Sequence, residues 1–540
     1  MSCFRRNLLA ASIQQVSRQT ALTQHRTGAS MKIPAAMGAL FSAVASADVA
    51  HDIQADGNFT NISTSGAIHD INSLQAPSAG SAINVFDKFV VGTSHTVNLD
   101  VPTGATNLVN IVRGADTPAV HGILNSYQNG TLGGDVVFAS SQGFLVGPTG
   151  IINMGKLSIK TPTQSEIDDL ISGSSVDSSN LSDLLSNSFS VSSSGTVRIQ
   201  GKINTASGLD VNANQIIVED GAVVIAGRAE AASYGNLSAV NTGDLSAPLE
   251  LKMDGGSIVL SAKDSDGTDV DISGDLYADG GITISAPNIS LASTGTLDAR
   301  DSELNAVSGN VNLTASESDS IWIGTASAHT SIDLAGTIKA KDITATATSD
   351  ATSSFYEEPG AGAGLTAVSG FTGVGFYLID ADAEAEVTVE GTADIEGDGN
   401  IVLSSESHAM GESTQLTLNG QKAALATIYG TVDATSNTQI KSGAKVKAGG
   451  DLAVTAHNEA YLSLSAMTLV ASDGNTGVLA AAIGESDVNA TAKIETGAEL
   501  DADNLVVAAE NQNRFYVSAS AYGLKDTKYG AAIAVGDFDT

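Results

Sequence analysis

The residues able to do acid–base, metal or nucleophilic chemistry are plentiful in this 540-residue chain but dispersed. Glycoside cleavage needs carboxylates paired across a cleft, with Arg, Lys or His nearby to set their protonation. The 60 Asp and Glu instead scatter along turns. Of the eight His, His25 lies near the N-terminus, and His51, His69, His95, His121, His329, His408 and His457 show no ligand spacing along the sequence. Serines abound without a nucleophile elbow. Asp264-Ser265-Asp266-Gly267-Thr268-Asp269 resembles an acidic calcium loop, but it lacks the glycine at the sixth position and a distal bidentate Glu, so a solvated turn is expected. These residues predict no catalytic site, no metal and no cofactor.

The first 47 residues carry Arg5, Arg6, Arg18, Arg26 and Lys32 and no acidic residue. An apolar run, Ile33–Val44, leads to Ala45-Ser46-Ala47 before Asp48. A cationic region, a short apolar core and an A-x-A site predict a secretory signal peptide cleaved after Ala47. Met31-Lys32 could open a complete signal by itself, so Met1–Ser30 is either an extended n-region or upstream of the true start. Beyond residue 47 there are 25 − 5 = 20 Lys and Arg against 60 Asp and Glu, a formal charge of −40. Such a surface repels nucleic acid. Cys3 is the only cysteine, so the exported chain has no disulfide, which suits passage through a pore unfolded.

The elements that must position any site are short strands. From Asn84 to Leu157, β-branched and aromatic runs are cut by Gly, Pro and Asn about every ten residues, and apolar residues alternate in Thr96–Asp100 and Asn107–Val112. Gly143 and Gly147-Pro148-Thr149-Gly150 turn the chain within a few residues, with no helix-length crossover. Later apolar pairs such as Ile258-x-Leu260, Ile282-x-Ile284 and Ile289-x-Leu291 recur after about seven and about nineteen residues. That arithmetic predicts an all-β, right-handed parallel β-helix with three short strands per coil of about twenty residues. Asp48–Pro77 is expected to cap its open end. Thr163-Gln164-Ser165-Glu166 is a capping box, followed by Ile167, Leu170, Ile171 and then Leu181, Leu184, Leu185 at helical spacing, a small helical excursion.

Within this frame, Asn84-x-Phe86-x-x-Phe89, Asn107…Arg113-Gly114, Gly122-Ile123-Leu124-Asn125 and Gly133…Gly143-Phe144-Leu145…Gly150-Ile151-Ile152-Asn153 resemble the secretion domain of filamentous-haemagglutinin-type exoproteins of two-partner secretion systems. The likeness covers about residues 48–300 and is greatest to leukotoxin-type filamentous adhesins. Where better-known members have an Asn-Pro-Asn-Gly corner, this chain has Ser140-Ser141-Gln142-Gly143 and shares the glycine. The resemblance implies Sec export, recognition by an outer-membrane β-barrel transporter, and folding outside the cell. It places recognition on Asn84, Phe86, Phe89, Asn107, Arg113, Gly122, Asn125, Ser140, Ser141, Gln142, Gly143, Gly150 and Asn153. It also implies a secreted or surface-held adhesin that meets a receptor on a host or neighbouring cell. The alternatives are the delivery shaft of a leukotoxin, haemolysin or contact-dependent inhibition toxin, and a β-helical polysaccharide-degrading enzyme.

The expected organisation is a signal peptide (1–47), a secretion-domain core (48–162), the helical excursion (163–194), continuing β-helix (195–354), a joint (355–385) and repeats (386–540). The repeats Val389–Leu403, Ile440–Val454 and Ile494–Val507 superpose on Ala393, Ala444 and Ala498, with each unit expected to hold two to three coils. Because Gly536-Asp537-Phe538-Asp539 aligns with Gly484-Glu485-Ser486-Asp487, the chain is expected to continue past Thr540 as part of a longer exoprotein.

Overall fold

The computed structural model describes residues 49–540 apart from 76, 79, 174, 228–254, 264–268, 301–308, 322–323, 357–372, 420–422, 471–475, 524–526 and 540. The expected signal peptide with its expected cleavage residues Ala45, Ala47 and Asp48, most of the Asp264–Asp269 loop, and residues 357–372 of the expected joint lie outside the described residues.

The chain is a parallel β-helix. Alternating side chains let each strand bury one face while its backbone groups pair with the coils on either side. Three stacks of parallel strands run the length of the fold. One begins with Ser81–Val91, Asn107–Val112 and Val136–Ala139 and continues rung by rung to Asn504–Gly523. A second runs from Val90 and Val91 over Ala119–Val120 and Phe144–Val146 to Thr527–Asp539. The third runs from Ile68–Ser73 over Thr96–Val101, Ile123–Gln128 and Ile151–Lys160 to Glu499–Asp501. Their inward residues, such as Val97, Leu124, Ile152, Ile203 and Val224, form one continuous apolar core.

The first coil is closed by antiparallel strands. Asp52–Ala55 pairs against Ser81–Val91, and the hairpin Thr60–Ser65/Ile68–Ser73 hands its second strand to the parallel stack at Thr96–Val101. An antiparallel cap uses up edge groups that would otherwise template pairing with another chain. The excursion forms two helices, α1 (Gln164–Leu170) and α2 (Ser178–Leu185). At the start of α1, Glu166 Oε2 accepts from Thr163 N at 3.1 Å and from Thr163 Oγ1 at 2.7 Å. At α2, Asp177 Oδ1 accepts from Ser179 N and Asn180 N. Ile167, Leu170, Leu181 and Leu184 cover Ile83, Val85, Val109, Ile111 and Val137, the outward side chains of the first stack. Asn107–Val112, whose apolar residues alternate along the sequence, is therefore buried on both faces.

Coil length departs from the expected value along most of the chain. In the third stack Asn98 pairs with Asn125, 27 residues on. Asn125 pairs in turn with Asn153, 28 residues on. The middle coils do meet the expectation: Asn288 stands 19 residues after Asp269 and Thr294 stands 21 after Ser273, each one coil on. Towards the C-terminus Glu396 lies beside Lys447, 51 residues on, and Asp451 beside Asn504, 53 residues on. Each repeat unit is therefore one coil, not two to three. The extra length lies in two successive long strands per coil, Ile401–Asn419 then Ala423–Ile440 and Asp451–Val470 then Thr476–Ile494, each paired with its counterpart in the next coil. They enclose a second core of Ala381, Ala383, Ala409, Val432, Ala434, Ala460 and Leu462.

A buried polar belt separates the two cores. Ser407 Oγ donates to Thr435 O at 2.6 Å, Thr438 Oγ1 to Thr455 O at 2.7 Å, and Asn458 Nδ2 to Ala434 O at 3.1 Å. These bonds satisfy polar groups that would be costly to bury unpaired. Beyond the belt the sheets meet through small residues. A Cβ at Gly411 would lie 2.8 Å from Leu462 Cδ1 and 2.9 Å from Val432 Cγ2.

Candidate functional site

Asn125 and Asn153, two of the residues carrying the resemblance, belong to one side-chain ladder. Asn98 Nδ2 donates to Asp70 Oδ1 at 2.9 Å, Asn125 to Asn98 at 3.1 Å, Asn153 to Asn125 at 2.9 Å, and Asn204 to Asn153 at 2.9 Å. The backbone register places the five residues directly above one another, and Ile225 ends the series. Asn125 and Asn153 are fully buried. An amide offers both a donor and an acceptor along the stacking axis, so each rung satisfies the next. Nothing local in the sequence marks Asp70, Asn98 and Asn204, because their alignment depends on separations that run from 27 to 51 residues.

Asn84 pairs separately with Asn110, inside the core between Ala82 and Phe86, donating to its Oδ1 at 3.0 Å. Phe86 and Phe89 head an aromatic column with Phe138 and Phe144, successive ring centres lying 5.0–5.1 Å apart. Asn107 is half-buried where its strand enters the first stack. Arg113 ties the cap to α1: Nη1 reaches Asp56 of the cap at 2.8 Å, Nη2 reaches Asp168 of α1 at 3.5 Å, and its carbonyl accepts from Nε2 of Gln164, also in α1, at 3.3 Å.

The Ser140–Gly143 corner lies under α1. Ser140 and Ser141 are buried, and Ser141 Oγ donates to Gln164 Oε1 at 2.5 Å. Gln142 is the half-exposed member, its carbonyl accepting from Thr117 Oγ1 at 3.1 Å. Gly143 has φ of +84°, and a Cβ there would lie 1.9 Å from Thr196 O of the next coil. Gly122 and Gly150 make similar approaches, to His95 O at 2.3 Å and Val120 O at 2.2 Å. Most of the thirteen residues are thus interior parts of the winding rather than a surface patch.

The cap brings together three residues whose sequence spacing gave no sign of it. His51, His69 and His95 each offer a ring nitrogen within 4.8 Å of the others. The His51 ring stacks on His69, centres 3.8 Å apart, and His69 Nε2 faces His95 Nδ1 at 2.9 Å. Burial first, then the neighbouring imidazoles, pushes His51 down to about 4, and burial likewise lowers His69. Both rings are therefore neutral at pH 7. Their positions along the chain follow no ligand motif, because one ring comes from an antiparallel lead and two from consecutive coils. The acidic loop also differs from expectation at its last residue. Asp269 is not solvated but fully buried, and its Oδ2 accepts from Asn288 N at 2.7 Å.

No family model matches the chain, and no curated protein matches it. Among solved structures, the crystal structure of the HMW1 secretion domain from Haemophilus influenzae is similar, with a TM-score of 0.40 and 13% identity over 85% of this chain and 100% of that one. A likeness of that size assigns neither residues nor activity. Among the described residues, no helix is long and apolar enough to cross a membrane.

Proposed function

We propose that this chain is an exported filamentous exoprotein of the two-partner type, handed to a dedicated outer-membrane transporter by its N-terminal coils and serving adhesion once outside. The observation that carries this reading is the placement of the motif residues. Asn125 and Asn153 are consecutive rungs of one ladder, and Gly122, Gly143 and Gly150 occupy corners where only a glycine lets one coil reach the next. The residues carrying the resemblance are the ones a β-helix needs to wind, and a coil that closes on its predecessor can fold vectorially.

Burial adds a mechanistic point. Asn84, Phe86, Phe89, Asn125, Ser140, Ser141 and Asn153 are inaccessible in the folded coils, so a transporter reads them before winding is complete. Folding then withdraws them, which releases the chain outward and opposes return. Sec export delivers the chain to the periplasm, and the composition beyond residue 47, acidic and without cysteine, keeps it soluble and unlinked on the way.

The test is co-expression with a two-partner transporter encoded beside the gene. Replacing Ser140–Gly143 with a helix-forming segment should abolish extracellular yield while the protein accumulates in the periplasm. Unchanged extracellular yield sinks the reading.

A further inference from the structure

The lead before Asp52, the strand Ile68–Ser73 and the corner Gly92–Thr96 each contribute one imidazole to the same place. A Cβ at Gly92 would stand 2.4 Å from His51 N and 2.6 Å from Val49 O, so the glycine is what allows the lead to lie across the corner. Val49 is held there by two bonds: Thr93 N donates to its carbonyl at 3.0 Å, and its own N–H donates to Thr93 Oγ1 at 3.1 Å. The backbone carrying His51 is thus fixed beside His95.

The rings are arranged as ligands. Thr64 Oγ1 lies 3.1 Å from His69 Nδ1. That bond occupies one edge of the ring and turns Nε2 toward the cluster, the outer-shell support a metal-binding imidazole requires. Nε2 faces His95 Nδ1 at 2.9 Å, and two lone pairs at that distance need a proton or a cation between them. His51 Nδ1 is buried without a hydrogen-bond partner among the described residues. An ion bound at about 2.0–2.1 Å by each nitrogen holds its ligands a little over 3 Å apart, against the 4.8 Å within which the three nitrogens already lie.

We propose that His51, His69 and His95 bind one divalent first-row transition-metal ion of the imidazole-preferring class, such as Zn²⁺, Ni²⁺ or Cu²⁺, and that the ion pins the N-terminal cap to the first coil. Three nitrogen donors and no carboxylate in the set select against Ca²⁺ and Mg²⁺. On binding, the proton shared by His69 and His95 moves to His69 Nδ1, which then donates to Thr64 Oγ1, so that Nε2 of His69 and Nδ1 of His95 each turn a lone pair to the ion. His95 keeps its own proton on Nε2, and the His51 ring turns out of its stack. The fourth position is left to water. Because the site exists only once the cap has folded onto the coil, binding is coupled to folding. The proposal does not depend on the export reading.

The test uses the full chain freed of metal with a chelator. Zn²⁺ followed by calorimetry, and Co²⁺ followed by its visible absorption, should each show one saturable site per chain. His69→Ala and His51→Gln should each weaken Zn²⁺ binding at least tenfold. His121→Ala, whose ring packs against Gly147 one coil further on, should leave it unchanged. His51→Gln loses a stacked ring along with its unpartnered nitrogen, so its amide exchange across Asp52–Ala55 without metal is compared with the parent's, which separates lost ligation from a broken cap. Zn²⁺ should also slow amide exchange across Asp52–Ala55 at least tenfold in the parent chain and not in His51→Gln. Absence of saturable binding, or equal affinity in the His51→Gln and His121→Ala variants, overturns the proposal.

Discussion

Asn204 Nδ2 donates to Asn153 Oδ1 across 2.9 Å although 51 residues of chain separate them. That span contains both helices, yet the strands resume register at Ile151–Lys202 as though nothing had been inserted. Asn153→Ala should leave Asn125 Oδ1 and Asn204 Nδ2 buried and unpaired, costing about 3 kcal/mol at one to three per orphaned group. Asn204→Ala orphans only Asn153 Oδ1 and should cost about half as much. Amide exchange along Ile151–Asn153 would measure both, and equal costs would argue against a cooperative ladder.

Gly143 and Gly130 separate two reasons for a glycine. Both have positive φ, +84° and +76°, but a Cβ at Gly130 meets nothing within 4 Å, whereas one at Gly143 would lie 1.9 Å from Thr196 O. Gly130→Ala should cost about 1–2 kcal/mol, the backbone term alone. Gly143→Ala adds a clash with backbone that no rotamer relieves, for a total of about 3–5 kcal/mol. Urea unfolding of the two variants distinguishes them, and similar midpoints would show that the corner can yield.

The contrast between these residues also shows what could be read from the sequence. Strand rhythm, the corners at Gly143 and Gly150, and the helices after Thr163 follow from local rules, since a capping box or a two-residue alternation is complete within a few positions. Coil length is not local. Ala381, Ala383 and Ala385 alternate as strand residues, but nothing in them says whether the strand turns after four residues or runs for seventeen, as Gly373–Val389 does. The polar belt of Ser407, Thr438 and Asn458 carries no local mark of burial, yet it is a buried seam between two cores. The histidine cluster was hidden for the same reason, because His51, His69 and His95 become neighbours only once the cap and first coils are wound.

Lys160 offers a test of how the excursion is fastened. Its side chain is 2% exposed, pairs with Asp210 at 3.5 Å and donates to Asn187 in the turn after α2. Burial, the largest influence, lowers its pKa, and Asp210 opposes the shift. Desolvation of such a pair offsets much of its attraction. Lys160→Met should therefore be neutral or stabilising by about 1 kcal/mol, whereas Asp210→Asn, which strands the ammonium, should destabilise by roughly 3 kcal/mol. Chemical denaturation near pH 7 gives both values, and a large loss in Lys160→Met would mean that the bond to Asn187 dominates.

A column of like charge in the long-coil region makes stability depend on pH. Asp382, Asp433 and Asp487 occupy successive rungs in register, about 4.8 Å apart by strand spacing. Partial burial first, then the charges of Asp382, Asp380 and Asp487, raises Asp433 to about 6. A carboxyl whose folded pKa lies above its unfolded value of 3.8 binds its proton more tightly in the folded state. Stability from this group is therefore complete below about pH 4 and is lost as pH rises through 6. Asp433 remains partly open to solvent, which screens the effect to about 1 kcal/mol. Asp433→Asn should stabilise the long coils by that amount at pH 8 and by nothing measurable at pH 3.5. Asp382→Asn, by removing the nearest charge in the column, should move the Asp433 titration downward, visible in carboxyl NMR of labelled protein. If Asp433→Asn has the same effect at both pH values, the carboxylates are fully hydrated and the column costs the fold nothing.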